Sequence, residues 1–296
     1  MNSNPLVIIR CIAFNHEPYI RQCLDGFVMQ KTTFPFYAVV HDDASTDGTA
    51  NIVREYAENY PDIIHPIFET ENQYSKHDGS LRRIMDDASK EAKYIAICEG
   101  DDYWMDPLKL QKQVDFLETH EDFSICFHEA KVFCQAEARF IEDDIRSVPS
   151  ETDIMELARG NYIHTMTVVY RNNPLVLEEK RKVGRVAAGD YVLHMLNAKY
   201  GKIKKLPDCM AVYRLNNESI WGTKEVSYRI PLWNEMLIRL IPFFEPEVQK
   251  VLHEQYMQNC NCLVRLGADQ VRKSKAYRLG KFFLKPFSWI KNKRED

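Results

Sequence analysis

Residues 94–107 read YIAICEGDDYWMDP, an apolar run of strand length (Ile95, Ala96, Ile97, Cys98) that stops abruptly on the carboxylates Glu99, Asp101 and Asp102 around Gly100. In open α/β sheets ligands sit in the crevice at the carboxyl ends of the strands, and hard divalent cations want clustered oxygen ligands there. An acidic turn after a strand also has a plain structural reading. The weight of this stretch therefore depends on whether the rest of the chain builds such a sheet.

Working outward, residues 6–12 are nearly all apolar, as expected of a parallel strand buried on both faces. After the polar turn Phe14-Asn15-His16-Glu17, Ile20, Cys23, Leu24, Phe27 and Val28 recur at helical spacing within 18–30. Residues 36–41 repeat the strand signal and also end on acids, Asp42 and Asp43. A helix over 49–60 follows, with Ser45 to Asp47 offering N-caps, and then a strand over 63–68, a polar loop over 69–79 and a helix over 80–92. Three strand–helix alternations predict a parallel sheet with right-handed crossovers. Beyond Pro107 a helix buries Leu110, Val114 and Leu117, and 123–133 reads as one or two strands. Residues 135–150 are charged and aperiodic, which predicts a surface loop or lid. A short helix over 153–159, a strand over 166–170, a helix from Gly189-Asp190 to Tyr200, and short strands over 202–206 and 210–214 complete the alternation. From about residue 226 only the helical period remains, so the chain divides into an α/β unit, 1–225, and a helical region, 226–296.

The 296 residues are 45% apolar and 28% charged with a net charge of -4, which gives no global basis for binding nucleic acid. MNSNPLVIIRC lacks the regions of a signal peptide, and no run approaches the roughly 18 apolar residues of a spanning helix, so a cytoplasmic location is expected. Cys11, Cys23, Cys98 and Cys126 lie in apolar runs, which suits buried thiols, and Cys260-x-Cys262 lacks a second ligand pair at zinc spacing.

Asp43-x-Ser45-x-Asp47-Gly48 begins like a calcium loop, but its twelfth position is Arg54 where a bidentate glutamate is required. Capping and turn formation by Asp47 and Gly48 stand beside any ligand role. No GxGxxG turn or Walker loop is present, so phosphates bound here need a divalent ion on one or two carboxylates. Asp190, after Ala187-Ala188-Gly189 at a predicted helix start, is the best placed carboxylate for a general base, with an N-cap role as its alternative.

Four segments together resemble the large inverting glycosyltransferase family 2, especially its bacterial polysaccharide-forming members: VIIRCIAFNHEPYIRQCLDGFVMQ, VVHDDASTDGT, YIAICEGDDYWMDPLKLQKQVDFL and GDYVLHMLNAKYGKI, in the family's order across residues 6–206. The resemblance implies a GT-A fold, Rossmann-like, with a mainly parallel central sheet flanked by helices and a C-terminal helical extension. It implies a nucleotide-sugar donor, most simply a UDP-sugar, contacted by Asp43, Asp101, Asn15 and Ile12, a Mn2+ or Mg2+ ion on Asp102, and Asp190 as catalytic base. Trp104, Arg214, Asn216 and Trp221 are candidates to line the site. Relatives often carry a histidine where this chain has Asn216, a neutral amide with a weaker expected contact to phosphate or metal.

The implied acceptor is a glycan or a lipid-linked saccharide. The aromatic and basic residues of 276–294 would suit contact with the inner face of the cytoplasmic membrane, or packing on the chain's own domain. Two other classes compete: a catalytically silent sugar-nucleotide-binding or scaffold protein, suggested by Asn216, and a nucleotidyltransferase, which wants a Gly-rich loop where this chain has FNHEPY.

Overall fold

The computed structural model describes residues 5–216, 224–274 and 277. Trp221 and nearly all of the basic–aromatic tail lie outside the described residues.

The parallel core is built from β1 (Val7–Ala13), β2 (Phe36–Asp42), β3 (Ile64–Phe68) and β4 (Tyr94–Ile97), in the order β3-β2-β1-β4. Between them run α1 (Ile20–Val28), α2 (Thr49–Asn59) and α3 (Ser80–Ser89). Alternation along β1 explains the two-sided burial. Val7, Ile9, Cys11 and Ala13 enter one core with α1, whereas Ile8 enters the other.

The rest of the sheet is mixed. After β5 (Tyr103–Trp104) and α4 (Lys109–Thr119), β6 (Phe123–Cys134) forms a hairpin with β7 (Arg139–Ile141), so the expected loop over 135–150 contains a short strand. β8 (Glu151–Thr152) and α5 (Ile154–Leu157) follow. β9 (Val169–Arg171) inserts antiparallel between β4 and β6, preceded by a 3-10 turn where a longer strand was expected. α6 (Pro174–Val183) went unanticipated, although Asn173 caps it by accepting from the Leu175 N–H and Pro174 opens it. α7 (Gly189–Asn197) leads into β10 (Lys202–Leu215). The two short strands expected over 202–214 are this one strand, whose register shifts near Cys209.

α8 (Val226–Leu240) and α9 (Pro246–Lys273) form the expected helical region. Met236, Leu237, Leu240, Val248 and Leu252 join the same core as Leu157, Tyr191 and Leu196, and the rings of Trp233 and Tyr191 lie 4.8 Å apart. Among the described residues no helix is long and apolar enough to cross a membrane.

Candidate active site

The carboxyl ends of β1, β2 and β4 converge, and the turns that follow them are bonded to one another. Asn15, left-handed at φ 55°, donates its N–H to Ser45 Oγ (2.9 Å) and accepts at Oδ1 from the Thr46 N–H (2.8 Å). Glu17 donates its N–H to Asp47 Oδ2 (3.0 Å), and its own carboxylate accepts from the Gly48 N–H (2.8 Å). Asp47 also accepts from the Thr49 N–H, a turn-forming bond two residues on, while the N-cap position of α2 is Gly48 and carries no side-chain capping bond. Asn15 thus joins the turn after β1 to the turn after β2. Asp43 is buried, and its Oδ1 and Oδ2 accept from the N–H groups of Gln73 (2.6 Å) and Tyr74 (3.0 Å), which fastens the 69–79 loop over the strand ends.

The turn after β4 is held differently. Gly100 donates its N–H to the Ile12 carbonyl (3.0 Å), and a Cβ at Gly100 would lie 2.8 Å from His16 Nδ1, so only glycine fits this approach. Asp102 is 5% exposed, and its Oδ1 accepts from the backbone N–H of Arg214 (2.7 Å). Burial, and then the charge of Asp101, push its carboxyl well above the usual range. Burial and Asp101 likewise raise Glu99 to about 7, against the opposing pull of Arg10.

Arg214 is a clamp behind these acids. Its guanidinium donates to the Asp101 carbonyl (2.8 Å), Gln135 Oε1 (2.9 Å) and Gln22 Oε1 (2.6 Å), and sits over the rings of Tyr19, Tyr103 and Phe133. Three of its five N–H donors are thereby engaged within the fold, where they fix the shape of the turn. Asn216 donates through Nδ2 to Asp101 Oδ2 (2.8 Å), so this amide reaches the acidic pair. Trp104 does not line a cleft. It is 2% exposed, donates its indole N–H to the Met166 carbonyl (2.8 Å) and lies 5.0 Å from the ring of Phe27 in the core.

Asp190 occupies the first turn of α7, whose N-cap position is Ala188, and it makes no capping bond. Its Oδ2 accepts from Thr165 Oγ1 (3.3 Å). Its charge reaches Glu99 beyond the end of β4, and also Lys180, Tyr170 and His194. His194, one turn along α7, hydrogen-bonds the Tyr170 hydroxyl through Nδ1, and burial lowers its pKa to about 4, so the ring is neutral. Arg10 pairs with the buried Asp86 (3.1 Å) on this side of the sheet. Sequence reasoning missed Arg10 and Thr165, and named Arg214 only as a residue that could line the site. The lone cation inside VIIRCIA was the available signal for Arg10, whereas nothing local marks Thr165.

The acidic residues fit a hard cation. The donors at the end of β4 are carboxylate oxygens, and Asp102 is held in a low dielectric beside like charges, where added positive charge is favourable. Among the described residues no cluster of three or more His, Cys, Asp or Glu side chains could hold a metal by itself.

A family model described as glycosyl transferase family 2 matches residues 8–167. An uncharacterised protein of Mycobacterium tuberculosis is 40% identical over 210 residues, covering 71% of this chain and 59% of the relative, so the chain spans less than two thirds of that protein's length. EpsE of Bacillus subtilis, named as a glycosyltransferase, is 30% identical over 171 residues, 58% of each chain. Among solved structures, S. aureus TarS in complex with UDP-GlcNAc aligns with a TM-score of 0.64 at 17% identity, over 92% of this chain and 77% of that one. The mannosyltransferase PcManGT of Pyrobaculum calidifontis, in complex with GDP-Man and Mn2+, aligns with a TM-score of 0.56 at 19% identity, over 95% and 84%. At these identities the structural likeness speaks for the fold, the GT-A fold expected from the sequence.

Proposed function

We propose, from the premise that the chain belongs to glycosyl transferase family 2, that it moves a sugar from a nucleotide diphosphate sugar to a hydroxyl of a glycan or lipid-linked acceptor, with inversion. The observation that carries this is the pairing of a buried, like-charged acidic turn after β4 with a carboxylate on α7 that caps nothing and whose charge reaches Glu99 of that turn. Asp190 takes the acceptor's proton as its oxygen bonds to the anomeric carbon, and the bond from that carbon to the phosphate oxygen breaks with its electron pair leaving on the diphosphate. Asp102 would hold Mn2+ or Mg2+, which when bound would supply positive charge to the departing diphosphate, and Asp101 would contact the ribose of the donor. The Asp43 turn and its 69–79 loop receive the nucleoside, for which a UDP-sugar is the first candidate. Cell-surface polysaccharide synthesis is the setting that the family resemblance favours.

A melting-temperature panel of nucleotide sugars with and without Mn2+ identifies the donor. With that donor, Asp190→Asn should bind as the wild type does yet turn over about 10²–10⁴-fold more slowly. Undiminished turnover overturns the assignment. Donor binding by the wild type with no donor hydrolysis and no transfer would favour the silent sugar-nucleotide-binding protein instead.

A further inference from the structure

On the far side of β9 from the turn after β2, the sheet carries a cleft of about 210 Å3 between β6, β10 and the segment after β7. Its height is fixed by register. Ala96 of β4 pairs with Val169, and Val169 with Cys126, so the floor residues Phe127 and Glu129 lie level with the end of β4 and its acidic turn. His164 forms one wall, and the next residue is Thr165, which donates to Asp190. The His164 ring stacks on that of Tyr213 at 5.1 Å, and Tyr213 precedes the Arg214 clamp. The cleft therefore adjoins the base and the metal turn on the side opposite the nucleoside turn.

Its chemistry follows from how its charges are matched. Lys205 Nζ lies 3.2 Å from Glu129 Oε1. Arg146 pairs with Glu156 and donates to the carbonyls of Glu156 (2.9 Å) and Gly160 (3.1 Å). His164 Nε2 lies 2.9 Å from Asp143 Oδ2. Each of these three basic side chains already has its own carboxylate, and His128, the fourth in the lining, bonds the Glu129 carbonyl through Nδ1 (2.8 Å) and is kept uncharged by burial, so an anion entering here would lose water without gaining an unpaired cation. Hydroxyl groups, by contrast, can bridge the remaining donors and acceptors of such pairs, while the His164–Tyr213 and Phe127–Tyr162 ring pairs offer apolar surface.

The geometry points to this cleft as the place where the acceptor sits, and to an uncharged, hydroxyl-rich saccharide unit as its occupant. The inference rests on the glycosyltransferase reading and deepens it.

Saturation-transfer NMR on the full chain, with UDP and Mn2+ present, tests it using methyl β-glucoside and methyl β-glucuronide as probes. The expected result is binding of the glucoside about tenfold or more tighter than the glucuronide. Ser147→Trp, an exposed substitution in the cleft lining, should abolish glucoside binding while leaving the UDP-induced rise in melting temperature intact. Glu129→Gln, which frees Lys205, should raise glucuronide affinity about fivefold or more. Equal or preferred glucuronide binding, no glucoside binding while UDP still binds, or no effect of Ser147→Trp overturns the inference alone. A wild-type protein that binds neither UDP nor any nucleotide sugar overturns the glycosyltransferase reading, and the inference with it.

Discussion

Two acidic turns flank β1 and look alike in sequence, each a pair of aspartates at the end of an apolar strand, yet the structure uses them in opposite ways. Asp43 is buried and hydrogen-bonded through both carboxylate oxygens to backbone N–H groups 30 and 31 residues away, so its charge is satisfied within the fold. Asp102 is just as deeply placed but accepts from the Arg214 N–H and is repelled by Asp101 and Glu99, with partial relief from the Arg214 charge. A carboxylate bonded at both oxygens is a structural pin. A carboxylate held dry among like charges is a binding free energy kept ready for a cation.

This contrast can be broken by experiment. The largest expected effect is at Asp102. Asp102→Asn should lower metal-dependent turnover by about 10³-fold, roughly 4 kcal/mol, and at the same time raise the melting temperature of the metal-free protein at neutral pH. A metal-free protein destabilised by that change would mean that Asp102 is another pin. Next, Asp43→Ala strands two buried N–H donors and should cost on the order of 2–4 kcal/mol in denaturant unfolding, beyond any loss of nucleotide affinity. Loss of affinity with unchanged stability would make Asp43 a pure ligand contact and erase the comparison.

The third test is pH. Because the Glu99 carboxyl is raised from 4.5 to about 7, the folded state binds more protons than the unfolded state between those values. Metal-free stability should therefore fall as pH rises from 4.5 to about 7, and Glu99→Gln should flatten that slope in urea midpoints measured across the range. The smallest effect is at Asn15. Asn15→Ala removes its side-chain bonds to Thr46 and places a residue with a Cβ but no local hydrogen bond at φ 55°, for about 1–2 kcal/mol in the same unfolding measurement.

What the sequence disclosed, and what it hid, follows the range of the interactions. Apart from β5, a two-residue strand specified by its partner β10, the strands and helices through residue 119 were legible because each carries its own period and buries a face of its own. β9 was harder, since an antiparallel insertion is specified by its partners β4 and β6 and not by its own three residues. β10 looked broken because the shift near Cys209 interrupts its alternation. In the site, Asp43, Asp101, Asp102 and Asp190 stand out as carboxylates at element ends. The aim of Trp104 into the core and the inward clamp of Arg214 do not, because direction depends on which helix covers the turn. Gly26 of α1 comes so close there that a Cβ would lie 2.9 Å from the Trp104 nitrogen.

The bond from the Arg214 N–H to Asp102 joins residues 112 apart, whereas the family match ends at residue 167. During synthesis the parallel strands β1 to β4 can pair long before β10 exists, so the acidic turn waits, unclamped, until the chain has been made past residue 215 and threaded beside β6. The setting of the Asp102 carboxylate is thereby coupled to completion of the sheet. A nascent chain arrested before β10 would hold the paired strands β1 to β4 and an acidic turn that still lacks its Arg214 partner, so the turn takes its final form only when the polypeptide is committed to its final topology.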